Sequence, residues 1–555
     1  MDCWANLLGS CGTVKALPRV APRELSSVRR LLRSVYIRID CRSMSEIGFW
    51  SIASARPDHV ALIDPDGAAL TAGALLSAAN QIAGVLRSTA SKGETTVAVM
   101  LPNGVEFVEL YLAIMQIGAY LVPINFHSTA ADVGHILADS SADVFIAHHA
   151  FAVTASDAAD IAGLAADRRF AVGPLPGFRP FGDLQMGAPI DPSSRRMGSI
   201  MAYTSGTTGR PKGVRRQLPS GPPERHPSLL AGALKLFGIG PGEDQVHLCT
   251  SPLYHSAPLI FAAGCLHLGH RVVLMDKWSA EVMLDLVQRH GVTTTHVVPT
   301  QLHRLLSLPV ERRTAAKIGS LRHVVHAGAP CPVDVKRRII DWFGPVVDEY
   351  YAATEGGGTY VSSDEWLGKP GTVGKPWPRS EVRIVDDDGN ELPAEGTGTV
   401  YMRMDSGDFQ FHNDPDKTAA SHQNGYFTAG DVGYLDEDGY LFLCDRRSDL
   451  IISGGVNIYP AEIEAVLLSH PDVFDAGVFG IPNEEWGQEV KAVVQLQPGI
   501  SSSPDKCASL VEFCGANLAR YKVPRSVELT AQLPRDPNGK LARRRLREAY
   551  WPLVT

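Results

Sequence analysis

Residues 203–214 read Tyr-Thr-Ser-Gly-Thr-Thr-Gly-Arg-Pro-Lys-Gly-Val and follow a short apolar run. Glycines and small hydroxyl residues let backbone N–H groups approach a polyphosphate, and Lys212 adds positive charge. The stretch predicts a phosphate-binding loop, although a Gly/Ser/Thr run can also be an ordinary surface loop. A P-loop kinase or GTPase is disfavoured, because Lys212 is followed by Gly213 instead of Ser or Thr. The residues predicted to surround phosphate are Thr204, Ser205, Gly206, Thr207, Thr208, Gly209 and Lys212.

The chain around this loop alternates β-branched runs with helical patterns from about residue 44 to residue 345. The run 96–102, for example, precedes a helical pattern over 105–121. Such alternation predicts parallel sheets flanked by helices, with ligands at the carboxyl ends of the strands. From about Gly371, short strands separated by turn pairs predict an antiparallel β lobe. The hundred or so residues after Arg446 predict a small α+β unit.

Composition narrows the class of protein. A length of 555 residues predicts two to four domains. The net charge of −8 offers no overall positive field for nucleic acid, so a nucleic-acid partner is not expected. Nine cysteines are scattered without a CxxC pair or zinc-ligand spacing, which favours a reducing compartment and a cytoplasmic protein. The most apolar stretches are interrupted by polar residues, so no transmembrane segment is predicted.

The first 43 residues differ from the rest, with eight Lys/Arg against three Asp/Glu. We expect a basic, disordered extension. A transit peptide and a translation start placed too far upstream are the alternatives. The folded part is predicted to begin near Met44.

Four further segments extend the pattern set by residues 203–214. They are YYAATEG at 350–356, GYFTAGD at 425–431, DRRSDLIISGGVNIYPAEIE at 445–464 and PRDPNGK at 534–540. Together the five segments resemble the adenylate-forming superfamily of acyl-CoA synthetases, peptide-synthetase adenylation domains and luciferases, over about residues 44–555. The resemblance implies an α/β fold in which 44–446 form an N-terminal adenylation domain with two parallel α/β sheet subdomains and a β-barrel-like lobe. Residues 447–555 would form a small mobile α+β domain.

The resemblance also implies a reaction. In such enzymes a carboxylate attacks the α-phosphorus of ATP, giving an acyl-adenylate and pyrophosphate, and a thiol then displaces AMP. By analogy Tyr351 would stack on adenine, Thr354 would contact the α-phosphate and Glu355 would bind Mg²⁺. Without the family pattern, Glu355 would be interpreted as a solvated surface acid.

Three more charged residues have roles implied by the resemblance. Asp431 would accept both ribose hydroxyls, and Arg446 would bind near the ribose and phosphate. Lys540 would be catalytic, together with Thr204, Lys212 and Glu355, because an ammonium can hold the carboxylate and the α-phosphate together. Taken alone, these residues would be interpreted as a turn cap, an exposed arginine and a solvated turn lysine.

In the family the small domain swings between the two half-reactions. Lys540 would then leave, and the loop Ser453, Gly454 and Gly455 would come in beside the pantetheine thiol of coenzyme A. The pivot corresponds to Ser448, where relatives usually carry Asp or Lys, so the rate of the swing and the resting pose are open. A second departure is Ala352, where glycine is usual.

The acyl site of the family lies between the segment 252–258, the turn 326–330 and the glycines after Glu355. The resemblance assigns Gly328 and Ala329 to the nucleotide and Gly328, Gly356, Gly357 and His255 to the acid; His255 can also be a packed core residue. No acidic residue occurs between Asp244 and Asp276, which disfavours an amino-acid substrate. The triple glycine at 356–358 suggests room for a bulky group. We therefore expect a medium- or long-chain fatty acid or a sterol-type acid.

The acceptor is expected to be free coenzyme A, because the fifteen residues after Lys540 leave no space for a fused carrier domain. The alternatives are an acyl-AMP ligase that loads a separate carrier protein, a luciferase, and a non-catalytic nucleotide-binding sensor. The expected cofactors and substrates are ATP, Mg²⁺, coenzyme A and a small carboxylic acid. A homodimer is an open alternative to a monomer.

Overall fold

The computed structural model describes residues 47–89, 94–205, 211–404, 409–446, 449–454, 456–536, 539, 541–548 and 550, and side chains at 205, 228, 230, 446, 544 and 548 lie outside this description. The strands are, in chain order, β1 Val60–Ile63, β2 Ala69–Thr71, β3 Thr96–Met100, β4 Tyr120–Pro123, β5 Val144–His148, β6 Arg169–Val172, β7 Arg179–Pro180, β8 Ser199–Ile200, β9 Ala202–Ser205, β10 Pro211–Arg215, β11 Val246–Cys249, β12 Arg271–Leu274, β13 Thr294–Val297, β14 His323–His326, β15 Val347–Ala353, β16 Gly356–Val361, β17 Lys375–Pro376, β18 Ser380–Val385, β19 Gly398–Met404, β20 Gln410–Phe411, β21 His422–Gln423, β22 Tyr426–Phe427, β23 Asp431–Leu435, β24 Leu441–Arg446, β25 Ile451–Ser453, β26 Val456–Ile458, β27 Val473–Asn483, β28 Gly487–Leu496 and β29 Ser526–Leu529. The α-helices are α1 Phe49–Ala55, α2 Ala72–Thr89, α3 Val105–Ile114, α4 Ala130–Asp139, α5 Ala152–Ile161, α6 Gly182–Gln185, α7 Pro227–Ala231, α8 Ser256–His267, α9 Ala280–His290, α10 Pro299–Leu306, α11 Val310–Ala315, α12 Val333–Phe343, α13 Ser363–Gly368, α14 Pro415–Ser421, α15 Pro460–Ser469, α16 Pro504–Asn517 and α17 Arg543–Glu548.

Two parallel sheets form most of the N-terminal part. One has six strands in the order β7-β6-β5-β3-β4-β8, all parallel. The other has nine strands in the order β17-β16-β15-β14-β13-β11-β12-β1-β2. Its central strands, from β15 to β1, are parallel, and the edge pairs β1/β2, β15/β16 and β16/β17 are antiparallel. The predicted pair of parallel α/β sheets is therefore confirmed.

Local sequence explains why strands and helices alternate. Strand β3 is buried along its whole length, as expected for an apolar strand inside a parallel sheet. Helix α9 begins where the Ser279 hydroxyl accepts the N–H of Val282, and it ends at Gly291, whose φ of 61° is left-handed. Side-chain capping at the start and a left-handed glycine at the end are the usual limits of a helix.

One predicted helix is shorter than its pattern suggested. The apolar run over 105–121 is helical only as far as Ile114, and Tyr120 and Leu121 belong to β4. Between them Gly118 has a φ of 71° and donates its N–H to the Arg196 carbonyl. The helix has ended by Met115, and the left-handed Gly118 then lets the chain turn back as a buried strand, which hydrophobicity alone does not reveal.

The predicted antiparallel lobe is also present. A six-stranded sheet joins β21, β22, β19, β23 and β24 in that order, with β18 paired to β19. A separate three-stranded sheet joins β20, β10 and β9 and carries the predicted phosphate loop. The two strands that flank the predicted phosphate loop therefore belong to a small sheet of their own.

The last part of the chain has its own sheet and core. Strands β26, β25, β28 and β27 are antiparallel neighbours, and β29 joins β28 in parallel. A cluster that includes Ile451, Ile463, Val478 and Leu510 fills the space between this sheet and its helices. The α+β character predicted for this segment is confirmed. Within the described ranges, no helix combines the length and apolarity needed to cross a bilayer.

Candidate active site

The strands that flank the predicted phosphate loop form a hairpin. Strands β9 and β10 are antiparallel, with Thr204 opposite Lys212 and Tyr203 opposite Gly213. The first and last predicted phosphate ligands therefore lie side by side at the mouth of the loop. The loop residues Gly206, Thr207, Thr208 and Gly209, and the side chain of Ser205, lie outside the described residues.

Lys212 has a protein partner that the sequence did not predict. It forms an ion pair with Asp414, whose other carboxylate oxygen accepts the N–H of Lys417 at 2.9 Å and caps α14. The hydrogen bond from Lys212 holds the pKa of Asp414 below its ordinary value. In the sequence, Asp414 before Pro415 indicates only a helix start. A bound phosphate would have to share Lys212 with the Asp414 carboxylate or displace that carboxylate from Lys212.

The residues predicted to bind the nucleoside meet at one corner. The Tyr351 hydroxyl, at the end of β15, donates to Asp431 Oδ2 at 2.6 Å. Asp431 begins β23 and lies opposite Arg446 on β24, although the side chain of Arg446 is outside the described residues. An aromatic face beside a carboxylate is suited to an adenine and its ribose hydroxyls.

The predicted metal and α-phosphate residues lie just beyond the same strand. Thr354 and Glu355 follow β15, and both backbone carbonyls accept Nη2 of Arg216, at 3.0 and 2.6 Å. The Glu355 carboxylate also acts on Lys417: burial and Lys212 lower the pKa of Lys417, and Glu355 opposes that shift. The turn and the hairpin therefore share one charged patch.

Glu355 is the candidate Mg²⁺ ligand. In the part of the chain that the structure describes, no group of three or more His, Cys, Asp or Glu side chains is arranged to hold a metal ion. Mg²⁺ in nucleotide sites is commonly bound by one or two carboxylates together with substrate phosphates. A single, partly accessible carboxylate beside the predicted phosphate site fits that pattern.

The turn after β14 contains the predicted contacts Gly328 and Ala329. Gly328 has a φ of 88°, so a glycine suits this sharp turn. Two residues earlier, His326 is fully buried, and its Nε2 lies 3.5 Å from the Glu349 carboxylate, which accepts Lys336 Nζ at 2.6 Å. Burial, assisted by Lys336, lowers the pKa of His326 well below its ordinary value. The imidazole is therefore neutral.

The triple glycine is packed against this chain's own side chains. Gly356 and Gly357 have φ values of 124° and 68°. A Cβ on Gly357 would lie 3.1 Å from Met402, and one on Gly358 would lie 2.8 Å from Trp377. The space beside these glycines is occupied rather than open, and it does not supply the wide pocket wall that the sequence suggested.

A ring of aromatic side chains lies on the other face of β15. The Tyr350 ring is 5.5 Å from Phe237, 5.9 Å from His296 and 6.4 Å from Trp377, measured between centroids. Its hydroxyl lies 3.2 Å from His296 Nε2. His296 Nδ1 and Trp377 Nε1 are buried without a hydrogen-bond partner. Predicted acyl-site residue His255 precedes α8, with its ring 4.2 Å from that of Tyr254.

Lys540 is outside the described residues, but its neighbour Gly539 is placed. The Gly539 carbonyl accepts the Thr300 hydroxyl at 3.0 Å and Arg535 Nη1 at 2.6 Å. Arg535 is fixed by Asp475, which accepts from Nε and Nη2 at 2.6 Å each. The turn that carries Lys540 is therefore attached to the first turn of α10 in the N-terminal part.

Two further interactions link the C-terminal part to the N-terminal part near the turn that precedes Lys540. His303 of α10 donates from Nε2 to the Phe474 carbonyl at 2.8 Å, with its neutral form favoured because burial lowers its pKa. Burial also lowers the pKa of His127, and Asp536 of the lysine-bearing turn opposes that shift. Sequence patterns indicated none of these docking residues.

The predicted thiol loop and hinge are only partly placed. Ser453 ends β25, and Gly454 donates its N–H to the Trp486 carbonyl at 2.8 Å. A Cβ on Gly454 would lie 2.7 Å from the Trp486 ring. Gly455 and the predicted hinge residue Ser448 lie outside the described residues.

The structure brings together the β9–β10 hairpin, the Tyr351–Asp431 pair, the turn with Glu355 and the docked turn that precedes Lys540. This set is characteristic of adenylate-forming ligases. The chain matches the AMP-binding enzyme family over residues 49–406 and the AMP-binding enzyme C-terminal domain over residues 462–540. The chain belongs to the AMP-binding enzyme family, within the acyl-CoA ligase branch of the adenylate-forming superfamily.

Individual relatives extend over nearly the whole chain. The long-chain-fatty-acid–CoA ligase FadD13 of Mycobacterium tuberculosis is 31% identical over 518 residues, which cover 91% of this chain and 99% of that protein. A 2-succinylbenzoate–CoA ligase of Bacillus cereus is 33% identical over 459 residues, covering 81% and 88%. Among solved structures, ATP-bound MatB from Rhodopseudomonas palustris has a TM-score of 0.76 at 27% identity, covering 91% of this chain and 99% of that one. Ligases of this branch use ATP, Mg²⁺ and coenzyme A.

Proposed function

We propose that this enzyme is an ATP-dependent acyl-CoA synthetase, which converts a carboxylic acid through acyl-AMP to acyl-CoA and releases pyrophosphate and AMP. The observation that carries the proposal is the docked position of Gly539. The residue before Lys540 is bonded to Thr300 of the N-terminal part, so the lysine turn is held against the domain that contains the nucleotide corner. A protein that only bound ATP would not require this contact.

We propose a division of labour among the placed residues. Tyr351 and Asp431 hold the nucleoside, Thr354 contacts the α-phosphate, and Thr204 with Lys212 supports the departing phosphates. Glu355 holds Mg²⁺, which neutralises phosphate charge when bound.

In the first step the acid's carboxylate oxygen forms a bond to the α-phosphorus, and the bond from that phosphorus to the pyrophosphate oxygen breaks. Lys540 lies between two groups of like charge in this step and reduces their repulsion. In the second step a thiolate forms a bond to the acyl carbon, the bond between that carbon and the AMP oxygen breaks, and AMP leaves with the electron pair.

The proposed acceptor is free coenzyme A, with Ser453, Gly454 and Gly455 beside its thiol arm. Support comes from the relatives, whose names describe CoA ligases. The alternative is an acyl-AMP ligase that serves a separate carrier protein. Acyl-CoA formation with CoA as the sole thiol tests this point, and accumulation of acyl-AMP without thioester would favour the alternative.

The proposed acid is a medium- or long-chain fatty acid or a bulky sterol-type acid, and the side chains behind β15 favour the second kind. His296 Nδ1 and Trp377 Nε1 are buried beside Tyr350 without a hydrogen-bond partner. A plain alkyl chain cannot pair with them, whereas a ring-bearing acid with a keto or hydroxyl oxygen can. An aromatic surrounding also suits flat rings better than a flexible chain.

A panel of acids tests both the proposed acyl-CoA synthesis and the proposed choice of acid, with purified protein, ATP, Mg²⁺ and CoA. The panel contains acetate, octanoate, palmitate and a steroid carboxylic acid with a keto group, and AMP release is measured. We expect the largest kcat/KM for the oxygenated ring acid. Preference for palmitate would reject the ring-acid choice, and preference for acetate would reject both. The absence of both pyrophosphate release and CoA-dependent AMP release with every acid would favour a nucleotide-binding sensor.

We propose that the domain boundary lies between residues 446 and 447, with residues 1–43 as a separate extension. We also propose a cytoplasmic location, supported by the six described cysteines, all of which are free thiols. A homodimer can be tested by light scattering of the full chain.

A further inference from the structure

Arg216 lies between two parts of the site and has no role in the scheme above. It directly follows β10, the strand that begins with Pro211 and Lys212. From there its side chain extends to the turn after β15. The sequence pattern of the phosphate loop ends at Val214, two residues before Arg216.

The side chain of Arg216 contacts the backbone of the Thr354–Glu355 turn. Nη2 donates to the Thr354 carbonyl at 3.0 Å and to the Glu355 carbonyl at 2.6 Å. The Arg216 carbonyl in turn accepts the Tyr120 hydroxyl at 2.7 Å. Arg216 therefore connects the β9–β10 hairpin, the Thr354–Glu355 turn and strand β4 of the parallel six-stranded sheet.

The surroundings leave this guanidinium little freedom. Burial lowers the pKa of Arg216, and the nearby Glu355 charge opposes the shift. Arg216 forms no ion pair with a carboxylate among the residues that the structure describes. A Cβ on Gly356 would lie 3.5 Å from Nη2, an ordinary contact distance, so the guanidinium packs against the glycine that follows Glu355.

We propose that Arg216 is a positioning residue that fixes the Thr354–Glu355 turn, so that both side chains face the nucleotide. Two carbonyls held by one rigid, planar group set the orientation of two successive peptide planes. The side chains that leave this turn are thereby oriented before ATP and Mg²⁺ bind. The same contact couples the turn to the strand that carries Lys212, so the two halves of the phosphate site keep their spacing. The inference rests on the proposed function of Glu355 and Thr354.

The neighbouring Arg215 provides a matched control. It follows Lys212 on the same strand, but its guanidinium pairs with Glu94 and lies 4.8 Å from the centre of the Tyr120 ring. It makes no contact with the Thr354–Glu355 turn. Replacing either arginine with methionine removes the same charge and leaves a side chain of similar length.

The test compares Arg216→Met, Arg216→Lys and Arg215→Met in the full chain. The measurements are the Mg²⁺ concentration for half-maximal AMP release, the kcat for AMP release, and MgATP affinity by calorimetry, which does not depend on turnover. For Arg216→Met we expect a loss of about tenfold to a hundredfold in kcat and a rise of about fivefold or more in the Mg²⁺ requirement, because misplaced groups lose effective concentration. Arg216→Lys should be intermediate, since a lysine does not reproduce the planar fork. Arg215→Met should resemble the wild type.

Two results would overturn the inference. One is an Arg216→Met enzyme whose Mg²⁺ requirement and kcat stay within about twofold of the wild type, and the other is an equal loss in Arg215→Met. If Arg216→Met fails to fold, the Arg216→Lys enzyme decides, and unchanged Mg²⁺ dependence there rejects the positioning role. If the wild type releases no AMP with any acid, the proposed function fails, while calorimetry with MgATP still compares the two arginines.

Discussion

Replacing Thr300 with valine removes one hydroxyl from the contact that holds the lysine-bearing turn. Valine has nearly the shape of threonine, so the change removes the 3.0 Å bond to the Gly539 carbonyl and little else. That carbonyl keeps its bond from Arg535, so no buried acceptor is left without a partner. A net hydrogen bond of this kind is worth about 0.5–1.5 kcal/mol. The docked pose should become about two- to tenfold less populated relative to the undocked one.

The assay separates the two half-reactions. Adenylation is measured as pyrophosphate release at saturating ATP and acid, and thioester formation is measured from synthetic acyl-AMP and CoA. The family resemblance assigns Lys540 to the first step only. We therefore expect Thr300→Val to slow adenylation by about two- to tenfold while thioester formation and thermal stability stay close to wild type. Thr314→Val is the control, because the Thr314 hydroxyl bonds only to carbonyls of its own helix, those of Val310 and Glu311.

A stronger variant at the same contact is Gly539→Ala. Gly539 has a φ of 75°, and an added Cβ would lie 2.6 Å from the Thr300 Cβ, so both the backbone and the docking would suffer. Its adenylation rate should fall further than that of Thr300→Val. Equal slowing of both half-reactions, or normal adenylation in both variants, would refute the idea that this contact positions the lysine.

Four other predictions address separate parts of the molecule. Lys540→Ala should abolish pyrophosphate release and leave ATP binding nearly intact by calorimetry, and unchanged release would remove Lys540 from the chemistry. Tyr351→Phe removes the 2.6 Å bond to Asp431 and should raise the KM for ATP about threefold to tenfold, with an unchanged KM contradicting the nucleoside assignment. Glu355→Gln should increase the Mg²⁺ requirement of adenylation, whereas normal metal dependence would exclude Glu355 as a ligand. Burial raises the pKa of Glu109 from 4.5 to about 7, so the folded state favours its protonated form, and stability falls as the pH rises from about 4.5 to about 7. Glu109→Gln should therefore stabilise the protein at pH 8, by at most about 3 kcal/mol, and lose that advantage near pH 4.5, as measured by denaturant unfolding.

Local patterns predicted the elements well and the contacts between them poorly. Strands β1, β3 and β12 are visible as apolar runs because a buried parallel strand needs apolar residues on both faces. The predicted helix over 105–121 is too long, because the turn at Gly118 depends on a backbone angle that composition does not report. The antiparallel lobe followed from its turn pairs.

The site residues could be predicted from the sequence only where they lie together in one contiguous motif. Residues 203–214 and 350–356 are such motifs, and their chemistry can be inferred from residue type. The pairing of Lys212 with Asp414 joins residues 202 positions apart, and that of Thr300 with Gly539 joins residues 239 positions apart. Neither partner belongs to a pattern that one sequence reveals, since a lone Asp before a proline or a lone Thr in a helix has many local explanations.

In the proposed site, Lys212 and Arg216 differ in whether ATP binding would change their partners. Lys212 pairs with Asp414 before ATP arrives, because a partly buried ammonium without a counter-charge is costly. In the proposed site, phosphate would have to exchange with this carboxylate, and part of its attraction to Lys212 would be lost with the broken ion pair. Arg216 is bonded to two backbone carbonyls that phosphate does not displace. If these partners stay the same when ATP binds, as the positioning role requires, Arg216 contributes fixed geometry that costs no rearrangement when the phosphorus is transferred. The proposed site would thus use Lys212 to receive the phosphate and Arg216 to keep the Thr354–Glu355 turn in place.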